Sequence, residues 1–195
     1  MTLTGTVTPD RPLIVVALPE EAAHLDTPFP VLLTGVGKVC ATLAVSRVLA
    51  AGVLPSEIVN LGTAGALRAG LSGIHEISRV VQHDFDTVTI RALTGRTFGG
   101  PLELAGAGPV LATGDVFVSD PVLRAALAEQ ADLVDMEGYA VAAAAAAYGV
   151  PVRMIKQVSD EADGGAVISW AESVDACARI LAAWLTDWQR AAGVR

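Results

Sequence analysis

Val31-Leu32-Leu33-Thr34-Gly35-Val36-Gly37-Lys38-Val39-Cys40 decides the fold class. A short apolar run of the buried-strand type meets a glycine turn, and a helical stretch follows from about Lys38 to Ala51. Ile58-Val59-Asn60-Leu61 is the next strand candidate and ends in Gly62-Thr63-Ala64-Gly65. Parallel strands need a crossover of about a dozen residues, usually a helix, so this order predicts a parallel pair. Upstream, Leu13-Ile14-Val15-Val16-Ala17-Leu18 is a second buried-type strand, followed by Pro19-Glu20-Glu21 as the first turn of a brief helix. Asp26-Thr27-Pro28-Phe29-Pro30 ends that helix.

Downstream the alternation continues. Glu76 to Gln82 and Thr87 to Leu93 carry β-branched residues and read as strands. Thr94 to Gly108 is a glycine-rich loop. Val110 to Thr113 is a strand running into Gly114-Asp115. Pro121 to Gln130 is an amphipathic helix with Asp120 as its N-cap. Leu133 to Asp135 is a short strand, and Met136 to Tyr148 a helix apolar all round that Gly149 stops. Pro151 to Val158 is a strand, and Ser169 to about Ala192 a long final helix with Trp170, Trp184 and Trp188. The order implies one α/β domain with a largely parallel sheet covered on both faces. Ligands in such folds sit at the carboxyl ends of strands, so chemistry is sought at the strand-to-turn junctions.

Composition narrows the function classes. The 195 residues are 52% hydrophobic and only 17% charged, which excludes a disordered chain. The mean hydropathy of +0.52 comes from alanine, because no apolar run reaches the roughly 18–20 residues of a membrane span. A net charge of −8 argues against a nucleic-acid partner or an anionic membrane surface. Cys40 and Cys177 are too few for a disulfide framework or a zinc site and read as reduced core or near-core thiols. Met1 to Arg11 lacks a basic targeting segment, and the cytoplasm is the expected location.

The junctions carry the candidate chemistry. Gly35-Val36-Gly37-Lys38 is a partial dinucleotide turn, but no acid closes the next strand, and valine after Lys38 excludes a P-loop. A tight turn feeding a helix explains it better. The backbone of Gly62 to Gly65 could face a ligand or form only a turn. Glu20 and Glu21, Glu137 and Asp160 each follow a strand. Singly, each fits a helix start or a turn; together they place several acids on one sheet edge, where crowding and burial drive carboxyl pKa values apart. His83-Asp84-Phe85-Asp86 has no second histidine at ligand spacing, so no metal is expected, and no G-x-S-x-G elbow signals a serine hydrolase.

Six segments in order resemble one family: Ala17-Leu18-Pro19-Glu20-Glu21, Gly35-Val36-Gly37-Lys38-Val39, Asn60-Leu61-Gly62-Thr63-Ala64-Gly65, Gly114-Asp115-Val116-Phe117-Val118, Asp135-Met136-Glu137-Gly138 and Ser159-Asp160-Glu161-Ala162-Asp163. The chain is similar to the nucleoside phosphorylase/nucleosidase superfamily, and within it to the methylthioadenosine/S-adenosylhomocysteine nucleosidases. The resemblance implies a single phosphorylase/hydrolase-like domain over residues 1–195, with a mixed central sheet flanked by helices. It implies hydrolysis of the N-glycosidic bond of an adenine-type nucleoside, no cofactor, and a homo-oligomer, a dimer. A purine nucleoside phosphorylase, a futalosine-type hydrolase and a non-catalytic nucleoside-binding protein are the alternatives.

The same resemblance assigns roles. Glu21 matches the acid that activates water, and Asp160 the acid at purine N7, supported by Ser159. Phe117 matches the aromatic that stacks on the base, and Val118 the residue whose backbone contacts it. Met136 packs on the ribose, Glu137 accepts its hydroxyls, and Thr63 is a small hydroxyl residue near water and ribose. The chemistry fits: protonating N7 improves the leaving group, and two carboxylates flanking a glycosidic bond can divide acid and base work. Asn60 stands where the hexameric phosphorylases carry an arginine near the turn, and an unpaired glutamate would repel phosphate, so water is the expected nucleophile. The segments from Glu21 to Val31 and from Asp86 to Val110 are shorter than in the family, which leaves the 5′ substituent open.

Overall fold

The computed structural model describes residues 1–191, and all their side chains except those of residues 167–169. Ten strands form one mixed sheet: β1 (Thr2–Thr4), β2 (Leu13–Val16), β3 (Val31–Leu33), β4 (Ile58–Ala66), β5 (Ile74–Glu76), β6 (Arg79–Gln82), β7 (Leu102–Glu103), β8 (Val110–Thr113), β9 (Leu133–Asp135) and β10 (Val152–Asp160). Five helices accompany it: α1 (Lys38–Leu49), α2 (Thr87–Thr94), α3 (Pro121–Leu127), α4 (Gly138–Ala147) and α5 (Ala166–Ala191). The main path runs β1-β3-β2-β4-β9-β8-β6-β7, while β10 pairs β4 and β5.

Two parallel sets meet at the centre. β3, β2, β4 and β10 run one way, and β6, β8 and β9 run the other. They join where β4 and β9 pair antiparallel, at Gly65 with Val134 and Ala66 with Leu133. The chain leaving β9 is thereby carried back over the middle of β4. That junction, rather than a uniformly parallel sheet, positions the site.

Burial on both faces explains why the central strands read as continuous apolar runs. Leu13 to Val16 are all fully buried. Leu13, Val15 and Ile58 pack with α1 and α4, whereas Ile14, Val16, Val59 and Leu61 pack with Leu181 and Leu185 of α5. The period of two sends successive residues to opposite helix layers. The alanine-rich α4 is buried over most of its length, as its apolar composition requires, and Gly149 stops the chain there at φ +70°. At the head of α4, a Cβ on Gly138 would meet Leu111 Cδ2 at 2.7 Å.

Several sequence expectations need correction. Thr87 to Leu93 is not a strand but α2: Asp86 caps it by accepting from Thr89 N at 3.0 Å, and Gly95 closes it in a left-handed conformation. Local capping outweighs the β-branched propensity, because no side chain of α2 is buried to reward a strand. Glu76 to Gln82 is two strands, one on β10 and one on β8. Pro19 to His24 forms turns, not a helix. Gly62 to Gly65 is the second half of β4, because β10 pairs it along its length. The loop from 94 to 108 contains β7. Cys40 is exposed, while Cys177 is buried. The expected helix end at Ala192 lies outside the described residues.

Because α2 buries nothing, its cap holds it locally. Asp86→Ala should speed amide hydrogen exchange at residues 87–94 while leaving the global urea midpoint unchanged. Leu61→Ala, at a residue 1% exposed, should cost about 2–5 kcal/mol in the same urea titration.

Candidate active site

A cleft of about 380 Å³ opens where the carboxyl ends of β2, β4, β8, β9 and β10 converge. It falls within the size range of a small-molecule site. All eight residues singled out from the sequence line it: Glu21, Thr63, Phe117, Val118, Met136, Glu137, Ser159 and Asp160. Each acid reaches it by a different route.

Glu21 sits in the turn after β2 and is 5% exposed. Its Oε1 accepts from Thr63 N at 2.7 Å and from Thr63 Oγ1 at 2.8 Å. Thr63 Oγ1 in turn accepts from Trp170 Nε1 at 3.0 Å, which brings α5 to the site. Asp160 ends β10 just after the register slips between Val158 and Asp160. A bulge of this kind re-aims side chains at the end of a strand. Ser159 Oγ donates to Asp160 Oδ2 at 2.7 Å, and Ala162 N donates to Oδ1 at 2.8 Å. Ala162 adopts φ +48°, an uncommon conformation outside glycine, in the turn that offers this N–H. Gly65 has no room for a side chain here, since a Cβ would lie 3.0 Å from Asp160 Oδ1.

Glu137 follows β9, and its Oε1 accepts from Gly37 N at 2.7 Å. The Gly35-Val36-Gly37 turn is therefore a turn feeding α1, with φ of +84° and +91° at its glycines, and it offers its last N–H to a carboxylate. Phe117 is 41% exposed, whereas Val118 is buried. Met136, next to Glu137 in sequence, is partly buried and lines the cleft.

Sequence reasoning misses three residues of this neighbourhood, Asp135, Lys156 and Trp170. Asp135 and Lys156 form an ion pair at 2.9 Å with both side chains 2% exposed. Asp135 also accepts from Thr113 Oγ1 at 2.6 Å and from Gly138 N at 2.8 Å. The sequence signal was a lone lysine inside the apolar strand of β10, since a buried lysine needs a carboxylate partner. Trp170 was noted only as part of the last helix.

The cluster sets the charge states. Burial pushes the Glu137 carboxyl up to about 8, and Asp135 and Glu21 push the same way, against Gly37 N–H and Lys156. Burial alone would lower the Lys156 ammonium. The Asp135, Glu137 and Glu21 carboxylates outweigh it and raise the group above its ordinary value. One buried cation thus faces three acids, and Glu137 is the one whose carboxyl is lifted by burial and by its acidic neighbours.

The chain is similar to known proteins in sequence and in fold. The phosphorylase superfamily matches residues 99–186. A 5′-methylthioadenosine/S-adenosylhomocysteine nucleosidase of Bacillus cytotoxicus is 30% identical over 172 residues, covering 75% of this chain and 74% of the relative. A variant of the Helicobacter pylori nucleosidase of the same name, solved with 5′-methylthioadenosine in its active site, superposes with a TM-score of 0.78 at 25% identity, over 91% of this chain and 97% of that one. A mutant futalosine hydrolase from Helicobacter pylori shares the fold at a TM-score of 0.79 and 22% identity, over 91% of this chain and 97% of that one.

Two measurements test the cluster. The Glu137 carboxyl binds its proton more tightly folded than unfolded, so its contribution to stability falls as pH rises from the ordinary 4.5 through about 8. Glu137→Gln should flatten that slope in urea titrations across this window. Lys156→Met leaves Asp135 buried without its cation and should cost about 3–5 kcal/mol, an effect a merely exposed pair would not produce.

Proposed function

We propose that this chain, which belongs to the 5′-methylthioadenosine/S-adenosylhomocysteine nucleosidase family of the phosphorylase superfamily, hydrolyses the N-glycosidic bond of an adenine-type nucleoside. The observation that carries the reading is the convergence of Glu21, Glu137 and Asp160 on one cleft, with Phe117 at its side. In this reading the purine stacks on Phe117 and lies along the backbone of Val118. Asp160 donates a proton at N7 as the bond to the sugar breaks, and Ser159, bonded to Asp160 Oδ2, holds it in position. Positive charge developing on the ribose is met by the acidic walls of the cleft.

Glu21 then takes a proton from the attacking water. Thr63 supports this, since its N–H and hydroxyl fix one oxygen of Glu21. Met136 packs on the ribose and Glu137 accepts its hydroxyls, which turns binding energy into orientation. Water rather than phosphate is supported by the lining: among the described residues around the cleft, four are carboxylates and none is lysine or arginine. The buried Lys156 is already committed to Asp135. A phosphate dianion would enter a field of its own sign.

The whole chain acts as one nucleosidase-like unit in this reading, without a cofactor, in the cytoplasm and as a homodimer. Among the described residues no helix is long and apolar enough to cross a membrane. The dimer is supported by exposed apolar side chains one turn apart on α1, Val39 at 68% and Leu43 at 66%, beside Val36 and Val116 at the cleft rim. The 5′ substituent is a thioether by kinship with the curated relatives, with a futalosine-type group as the second reading on fold.

A panel of purine nucleosides, read by release of free base with and without phosphate, tests the activity. Release should not depend on phosphate, and formation of ribose 1-phosphate would overturn hydrolysis. Glu21→Gln and Asp160→Asn should each lower kcat by about 10²–10⁴-fold with the fold intact by circular dichroism.

A further inference from the structure

The helix α1 begins without a cap of its own. Gly37 occupies the cap position with no side chain, and no acid stands in the first turn. Two carboxylates from distant strands supply what the helix lacks. Glu137, after β9, accepts from Gly37 N at 2.7 Å. Asp115, after β8, accepts from the next N–H, that of Lys38, also at 2.7 Å. The two acids take adjacent donors of one turn.

A further layer fixes Asp115. Its own N–H donates to Asp84 Oδ2 at 2.9 Å. Asp84 is also paired with the Lys38 ammonium, which donates to Gln82 Oε1 at 3.2 Å. Gly37 packs against the same carboxylate, because a Cβ there would stand 3.0 Å from Asp115 Oδ1. The ends of β6 and β8 and the start of α1 are thus tied into one strap. Nothing in the proposed reaction uses Asp115, although it sits two residues before Phe117.

We infer that Asp115 is a positioning residue for Glu137. By holding Lys38 N–H, it aims Gly37 N–H at Glu137 Oε1 and keeps the helix terminus from drawing on the other oxygen, Oε2. That leaves Oε2 for a ribose hydroxyl. Glu137 is also faced by Asp135, Lys156 and Glu21, and Gly37 N–H is the backbone donor that favours its charged form. Without Asp115, Lys38 N–H lacks its acceptor, the turn shifts, and Glu137 loses both its orientation and that donor. The inference rests on the proposal that Glu137 binds the ribose.

The test uses the purine nucleoside turned over fastest in the panel and the free base it releases. Asp115→Ala should raise KM for the nucleoside about three- to tenfold, the factor expected if the energy of one capping bond is lost from the orientation of Glu137, and leave inhibition by the free base unchanged. The Glu137 ionisation in the pH profile of kcat/KM should move upward, because the Gly37 N–H bond that lowers it is weakened. Asp115→Asn, which keeps an acceptor oxygen for Lys38 N–H, should restore both. Equal weakening of nucleoside and free base, or failure of the asparagine to restore them, overturns the positioning role in favour of a purely structural one. Glu137→Ala separates the two readings. If it raises the nucleoside KM while Asp115→Ala does not, only this inference fails; if it leaves KM unchanged, the ribose role fails and this inference with it.

Discussion

The buried Asp135–Lys156 ion pair spans the seam on which the rest of the structure depends. Asp135 comes from one parallel set of strands, and Lys156 from the other. Taking both charges out of water is expensive, and their attraction repays it only when the remaining hydrogen-bonding capacity is filled. Thr113 and Gly138 N–H do this for Asp135. The pair also dictates its surroundings. A Cβ on Gly62 would stand 3.1 Å from Lys156 Nζ, and one on Gly138 would stand 3.0 Å from Asp135 Oδ2. The glycines at these positions are spacers for an ion pair, not hinges.

Around that fixed charge the three cleft acids share a construction. Each carboxylate accepts a backbone N–H: Glu21 from Thr63 and Glu137 from Gly37, both distant in sequence, and Asp160 from Ala162 in the turn that follows it. Donors on rigid elements hold a side chain more closely than solvent could and leave less to be ordered when a ligand arrives. The cost is crowding. Glu137 shows it, since burial and the Asp135 charge lift its carboxyl into the neutral range. A cleft built this way favours chemistry in which positive charge develops on the ligand, as in the loss of a base from a ribose.

Much of this was legible in the chain. The buried runs at Leu13 and Ile58, the Asp120-Pro121 helix start and the Gly149 stop are local signals with local causes, and they survive in the fold. The acids after the strands are legible in the same local way, but it is the antiparallel meeting of β4 and β9 that brings Glu137 to Glu21 and Asp160. Thr87 to Leu93 misled because β-branched side chains imply a strand only where a sheet is present to pack against. Gly62 to Gly65 resembled a turn because glycine's usual use is conformational. Here, at Gly62 and Gly65, it makes room for side chains from neighbouring elements.

Local signals along the chain account for the apolar strands at Leu13, Val31, Ile58, Val110 and Leu133, for the helices that cover them, and for the carboxylates that follow the strands. Periodicity, caps and breakers are short-range, so they can be read along the chain. Long-range pairing set the opposite directions of the two strand sets and their meeting at β4 and β9. It also decided that a bulge at Ser159 aims Asp160 into the cleft, and that Lys156 pairs with Asp135. Those outcomes depend on contacts between residues far apart in sequence, whose energies arise only once both partners have left water together.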